Sequence, residues 1–368
     1  MTKYLNLAVL ALGVAILATS TNGAADGSTG GKLYVMSNSP ANSVLAFDRA
    51  SDGSLTFAQE IRTRGLGTGV TLDPLASQGA IALRADGKLL LAVNPASGDV
   101  TAFRVTATGL QFGSVISSGG FFPVGVTIHG SLVYVLNQLG EANITGFTVT
   151  DTGVLQGIPS STQTLAGGAL AMPAEVSFTP DGGQLLVTEK GTNLIDIFQV
   201  SSRGQAGPPL SQVSRGKTPF GFAFGPSDSV IVSEVENRLP MAATVSSYRL
   251  TNGPHLAAVS PAVPNEQSGS CWVATTGNIA WIVNTGSATI AAYQIGTAGD
   301  LTLLDADAGS TGEGSSPIDV AASPDGSYLY VLKSATGEIA VFQIADSSLT
   351  PVFTQSGLPL SIQGIAVK

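Results

Sequence analysis

The chain has 368 residues, 43% of them hydrophobic and only 11% charged, with 45 glycines and a single cysteine. That length and apolar content support a large packed core, and so few charges exclude a disordered or coiled-coil protein. The formal net charge is −9 and the 16 basic residues form no run, which argues against nucleic acid and anionic membrane surfaces as partners.

The N-terminus stands apart. Lys3 precedes the apolar run Leu5–Ala18, and small residues follow over Thr19–Ala25. This is the order of a secretory signal, with cleavage expected near Ala24 or Ala25. The run is short for a bilayer span, which needs about 20 apolar residues. Residues 1–25 are therefore expected as a signal peptide and residues 26–368 as one exported domain, periplasmic or extracellular, with no membrane span after cleavage. Cys271 is the lone cysteine, so no internal disulfide framework exists, and its place beside Trp272 in an apolar strand reads as a small buried hydrophobe.

From Lys32 onward one unit recurs. Its plainest copy is Ser316–Ile344: the run Ile318–Ala322, the turn Ser323-Pro324-Asp325-Gly326, the run Tyr328–Leu332, a polar turn, and the run Ile339–Ile344. Pro presets one turn dihedral and Gly accepts the left-handed one, so each copy reads as a chain of hairpins. In order, the copies are Lys32–Phe57, Ser77–Phe112, Phe122–Gly157, Met172–Gly207, Thr218–Ala257, Ser268–Leu304 and Ser316–Val352. The first copy lacks its first strand, and Leu358–Lys368 at the other end supplies one. A period of roughly 45–50 residues suits propeller blades of four short strands. The expected fold is all-β, a seven-bladed β-propeller whose C-terminal strand completes the N-terminal blade.

Strand direction places the start of each first strand and the end of each second strand on one face. The second strands end at Asn38, Asn94, Asn137, Glu189, Glu234, Asn284 and Lys333, which form a ring there. The Asn side chains are expected to bond their own turns. The fifth copy carries an insertion, Val235–Ala243, expected as a loop over the same face.

Two histidines and no HExxH, CxxC or GxSxG leave little room for a His-based triad or a His-rich metal site. His129 and His255 fall in turns away from the ring. Gly65-Leu66-Gly67-Thr68-Gly69 opens no helix and is a poor phosphate loop. Carboxylates remain. Glu175, near the start of the fourth blade's first strand, and Glu189, at the end of its second, are the candidate catalytic pair. Two carboxylates in a partly dry channel acquire separated pKa values and divide the work of acid and base. Asp319, Glu234, Arg238 and Lys190 are the candidate substrate-binding residues, with the two cations suited to an anionic group. The alternative is structural: Glu175 and Asp319 bonding between inner strands, and Glu189 paired with Lys190. Trp272 reads as core in preference to a channel-facing aromatic. No cofactor or metal is expected.

Gly31-Lys32-Leu33-Tyr34-Val35, the repeated Pro-Asp-Gly turns, Asp52-Gly53-Ser54-Leu55-Thr56, and Phe178-Thr179-Pro180-Asp181-Gly182 leading to Leu186-Val187-Thr188-Glu189 resemble the seven-bladed propeller lactonase family. That family is typified by bacterial 6-phosphogluconolactonase and fungal carboxymuconate cyclase. The resemblance runs from about Gly31 to Lys368. It implies hydrolysis of a lactone or related cyclic ester, a small-molecule ligand, and a catalytic role for Glu189. Family members carry histidines where this chain has Pro173-Ala174-Glu175, so Glu175 stands in the histidine's place as acid or base. An exported chain does not meet a cytoplasmic sugar phosphate, so a different cyclic ester is expected. A non-catalytic propeller that binds a ligand or a protein across the ringed face is the other reading.

Overall fold

The structure, a computed structural model, describes residues 29–251 and 253–368. The expected signal peptide lies outside them. Seven antiparallel sheets follow one another around a ring, six of four strands and one, the third blade, with its outermost strand split into Leu155–Gly157 and Gln163–Thr164. The second strands are buried on both sides, as in Leu89–Asn94, Ser229–Glu234 and Ile279–Asn284. Each is sandwiched between neighbouring blades, which is why it reads as an unbroken apolar run. Outermost strands such as Leu301–Ser310 are partly exposed, so their sequences mix polar and apolar residues. Phe47, Phe103, Phe147, Phe198, Tyr248, Tyr293 and Phe342, one from each third strand, fill the spaces between blades.

The turns form as their residues dictate. The Thr179 hydroxyl donates to Asp181 (2.6 Å), the Gly183 amide donates to the same carboxylate (3.0 Å), and Gly182 takes a φ of +73°. Closure of the ring is also as expected. Ile365–Val367 pairs with Thr29–Met36 in the register Leu33↔Val367, Tyr34↔Ala366 and Val35↔Ile365. The first blade is thus built from both termini, and no inner edge is left open.

Two features depart from a simple stack of hairpins. The inner strands of blades three to seven each carry a bulge near their start, at Pro123/Gly125, Pro173/Glu175, Pro219/Phe222, Ser270/Trp272 and Ile318/Val320. A bulge re-aims the side chains on either side of it. The second feature is the long connection between blades one and two. The Leu75 amide donates to Gln363 Oε1 (2.8 Å), and Gln363 Nε2 and Trp272 Nε1 both donate to the Ser77 carbonyl (2.7 and 3.2 Å). The Gln78 amide donates to Ala174 (2.9 Å), while the Gln78 side chain accepts from the Val273 amide (2.9 Å) and donates to the carbonyls of Val273 and Phe222 (3.0 and 3.3 Å). These partners belong to blades one, four, five and six. One short segment reaches all of them by crossing the propeller axis, where it plugs the channel. Trp272 is fully buried against this plug.

Candidate functional site

The ring of second-strand ends exists, and its side chains bond across to neighbouring segments more than to their own turns. Asn38 accepts from the Thr68 amide (3.0 Å), and Asn137 donates to the Ser118 carbonyl (3.1 Å). Glu189 accepts from the Gly167 amide (3.1 Å) and Glu234 from the Gly216 amide (2.7 Å). All four are fully buried. An Asn or Glu at this point supplies a hydrogen-bonding partner, acceptor or donor, to a connection whose backbone has no strand partner. Lys333, the seventh member, pairs with Glu338 at 2.7 Å.

Of the residues singled out in the sequence, Glu189 sits beneath the connection 165–171. Its second oxygen accepts from the Thr192 hydroxyl, and Asp196 lies against it. Burial, followed by the bond to Asp196, pushes Glu189 up to about 7. The Asp196 oxygens in turn accept from the Ala166 amide (2.9 Å) and the Ser211 hydroxyl. Lys190, expected as the structural partner of Glu189, bonds elsewhere. Glu234 accepts from Ser214 (3.0 Å) and Thr244 (2.6 Å) as well as Gly216; burial raises it and these donors pull it back. Glu175 accepts from the Phe222 amide (2.6 Å), an inter-blade bond, and burial holds it well above the usual carboxylate range. Asp319 has a left-handed φ of +50° at its bulge. It accepts from its neighbour Val320 through Oδ1 (3.0 Å), while its buried Oδ2 lacks a partner among the described residues. Burial pushes it up to about 7.

Lys190 and Arg238 meet elsewhere on the same face. Together with Asp73, Thr218, Phe220, Val235, Ser268 and Cys271 they line a cavity of about 290 Å³ whose walls come from blades four, five and six and from the plug. Asp73 opens the plug. Its Oδ1 accepts from the Ala76 amide (3.0 Å) and weakly from Gln363 (3.4 Å), and Oδ2 has no protein partner among the described residues. Burial raises Asp73, and the charges of Lys190 and Arg238 pull it down. Lys190 donates to the carbonyls of Ala76 and Pro173 (the latter 3.0 Å) and lies 4.8 Å from the centre of the Phe220 ring. Burial pushes it down to about 8, opposed by Asp73. Arg238 is on the fifth-blade insertion, exposed, and its guanidinium donates to no side chain or carbonyl among the described residues. Glu236, Asn237 and Arg238 all take left-handed φ values, +48°, +56° and +62°. Three such residues in a row are strained, and strain of this kind collects at ligand sites. Burial drives the Cys271 thiol far above its ordinary range, so it is a poor nucleophile.

The site thus holds one carboxylate with a free oxygen and two cations, one of them, the Arg238 guanidinium, without a partner among the described residues. Glu175, Glu189, Glu234 and Asp319 do not line it. Asp73 carries no repeat signal. The trace it leaves in the sequence is the length of the segment between Arg62 and Ile81, longer than the blade-to-blade links elsewhere in the first half of the chain.

The lactonase, 7-bladed beta-propeller family matches residues 29–171 and 169–361. The chain belongs to this family. A putative 6-phosphogluconolactonase from Bacteroides fragilis superposes with a TM-score of 0.67 at 19% identity, covering 93% of this chain and 100% of that one. The periplasmic gluconolactonase of Pseudomonas aeruginosa gives 0.70 at 16% identity, covering 92% and 98%. A protein from Lactobacillus plantarum gives 0.71 at 16%, covering 92% and 99%. At such identities these likenesses speak to the fold. No curated protein matches the sequence.

Proposed function

We propose that this lactonase-family propeller is an exported hydrolase of a lactone or related cyclic ester, and that the reaction takes place in the cavity of Asp73, Lys190 and Arg238. The observation that carries the reading is the meeting of a carboxylate that has a free oxygen with two cations in one small recess, to which the plug contributes Asp73. Asp73 takes a proton from water as its oxygen bonds to the lactone carbonyl carbon. The carbonyl electron pair moves onto oxygen, and the charge formed there falls beside the Arg238 guanidinium. When the tetrahedral centre collapses, the ring C–O bond breaks and protonated Asp73 returns its proton to the leaving alkoxide. The product is a hydroxy acid, whose carboxylate suits Arg238 and Lys190. Glu189 and Glu175, the pair first expected to do this work, act in this reading from outside the cavity: Glu189 holds the 165–171 connection and Glu175 links two inner strands.

The test is hydrolysis of a lactone panel by the protein without residues 1–25. Asp73→Asn is expected to lower kcat by about 10²–10⁴-fold, the range for removal of a general base, and Arg238→Gln to lower kcat/KM. Glu189→Gln and Glu175→Gln should retain turnover. Loss of turnover in the Glu variants with an active Asp73→Asn protein returns the chemistry to the first-expected pair. The other reading, a propeller that binds an anion without turnover, keeps the same cavity and draws on its two cations. Binding of hydroxy acids without hydrolysis of any lactone would support it.

A further inference from the structure

The cavity is too small for more than a compact head group, and the surface around its mouth is apolar in an unusual way. Leu72, Met172, Leu239 and Met241 are all more than half exposed. Each is tied to the polar wall. Leu72 precedes Asp73, and the Met172 carbonyl accepts from the Lys190 amide (3.3 Å). Leu239 follows Arg238, and the Met241 amide donates to Ser268 Oγ (2.9 Å), a wall residue. Leu72, Met172 and Met241 take φ values of +74°, +45° and +55°. Left-handed backbone favours Gly or Asn, and a bulky apolar residue there is uncommon. These four come from three separate connections, so no single amphipathic element accounts for them. Inside, Phe220, Val235 and Cys271 continue the apolar surface down one side of the cavity.

We propose that the ligand is amphiphilic: a lactone, or its ring-opened hydroxy acid, whose unbranched alkyl tail leaves the cavity and lies on the rim of Leu72, Met172, Leu239 and Met241. The head group rests on the reading of the cavity given above; the tail rests on the rim alone. An apolar tail gains by leaving water for this rim, and each methylene covered tightens binding by up to about fourfold. The chain's net charge of −9 sets the rim apart from an anionic-membrane anchor.

The experiment uses γ-lactones of increasing side-chain length, below their aggregation concentrations, on the parent and on a Leu239→Ser/Met241→Ser variant. Both positions are exposed, 57% and 60%, so the fold should be unaffected. In the parent, kcat/KM should climb with each methylene, by up to about fourfold. In the variant the climb should flatten while the shortest lactone is hydrolysed as before. A parent indifferent to chain length, or a variant with the full slope, overturns the inference and leaves hydrolysis standing. Calorimetry with the matching 4-hydroxyalkanoates separates the two claims if no lactone turns over. Affinity that rises with chain length then supports the rim while refuting hydrolysis; flat affinity overturns the rim. Cosedimentation with phosphatidylcholine vesicles, lost in the variant and unaccompanied by any chain-length effect, assigns the rim to a membrane surface and also overturns the proposal.

Discussion

Asp319 is buried at the bulge of the seventh blade's inner strand, with one oxygen lacking a partner among the described residues and a pKa of about 7 against an ordinary 3.8. Desolvation is the leading cause, with the Val320, Gly364 and Ile365 amides opposing it. The folded value lies above the unfolded one, so the native state holds an extra proton between the two. Stability is then fully present below about pH 4 and is lost as pH rises through about 7. At about 1.4 kcal/mol per unit, the whole loss is roughly 4 kcal/mol. Asp319→Asn keeps an oxygen for the Val320 amide and carries no charge, so it removes this slope. Relative to the parent, the variant should be near-neutral at about pH 4, gain roughly 2 kcal/mol by pH 5, and gain up to roughly 4 kcal/mol by pH 8. With about 2.1 cal/mol/K of unfolding entropy per residue over about 340 residues, that is roughly 6 °C in Tm. The measurement is a set of urea and thermal melts of both proteins from pH 4.5 to 8.5. Glu175, also buried and raised in part by Asp319, adds a slope of the same sign, so the quantity to read is the difference between the two proteins. A variant destabilised equally at every pH would refute the reasoning and show that the carboxyl is held as a charged acceptor.

Glu189→Gln keeps the bond from Gly167 and removes a charge facing Asp196; its Tm should exceed the parent's at pH 8 and approach it at pH 5, where Glu189 is protonated in the fold. Lys190→Met takes the donor from the Ala76 carbonyl and leaves that of Pro173 only the Gln138 amide at 3.3 Å, and a loss of roughly 2 kcal/mol is expected in a urea melt, together with weaker binding of carboxylate ligands. Deleting residues 362–368 removes the strand that pairs with Thr29–Met36 and strips Gln363 from the plug; the product should be recovered aggregated, as read by size-exclusion chromatography. Cys271 should react with iodoacetamide at pH 8 far more slowly in the native protein than in urea, since the thiolate is disfavoured by burial.

The fold was legible because its signals are local and repeated. A Pro-Asp-Gly turn with Gly at positive φ needs nothing from the rest of the chain, and the missing strand of the first copy could be matched with Ile365–Val367 by counting. The position of the ring was legible too, but not the bonds its members make. Asn137 and Glu189 satisfy connections 19 and 22 residues away, and the length of those connections carries no pattern. Asp73 was invisible for a stronger reason. Its segment has neither a strand period nor a helical one. Partners such as Gln363 and Trp272, 286 and 195 residues from Ser77, hold it in place. Lys190 and Arg238 were found by charge and face alone. What brings them together is the bulge geometry and three left-handed residues of the insertion, which period counting does not foresee.

The plug links closure of the ring to the chemistry of the site. Asp73 and Gln78 lie five residues apart on one segment. Gln78 is bonded to blades four, five and six, while Leu75 and Ser77 are bonded to Gln363, next to the strand that seals the first blade. The position of the Asp73 carboxylate is therefore set by both halves of the ring at once. A propeller that loosened at its seam would lose the placement of Asp73, while the Lys190 and Arg238 walls, carried by blades four and five, would persist. Weakening the seam by Gln363→Ala should accordingly lower kcat more than it weakens the binding of a hydroxy acid. Equal losses in the two would show that Asp73 only shapes the cavity.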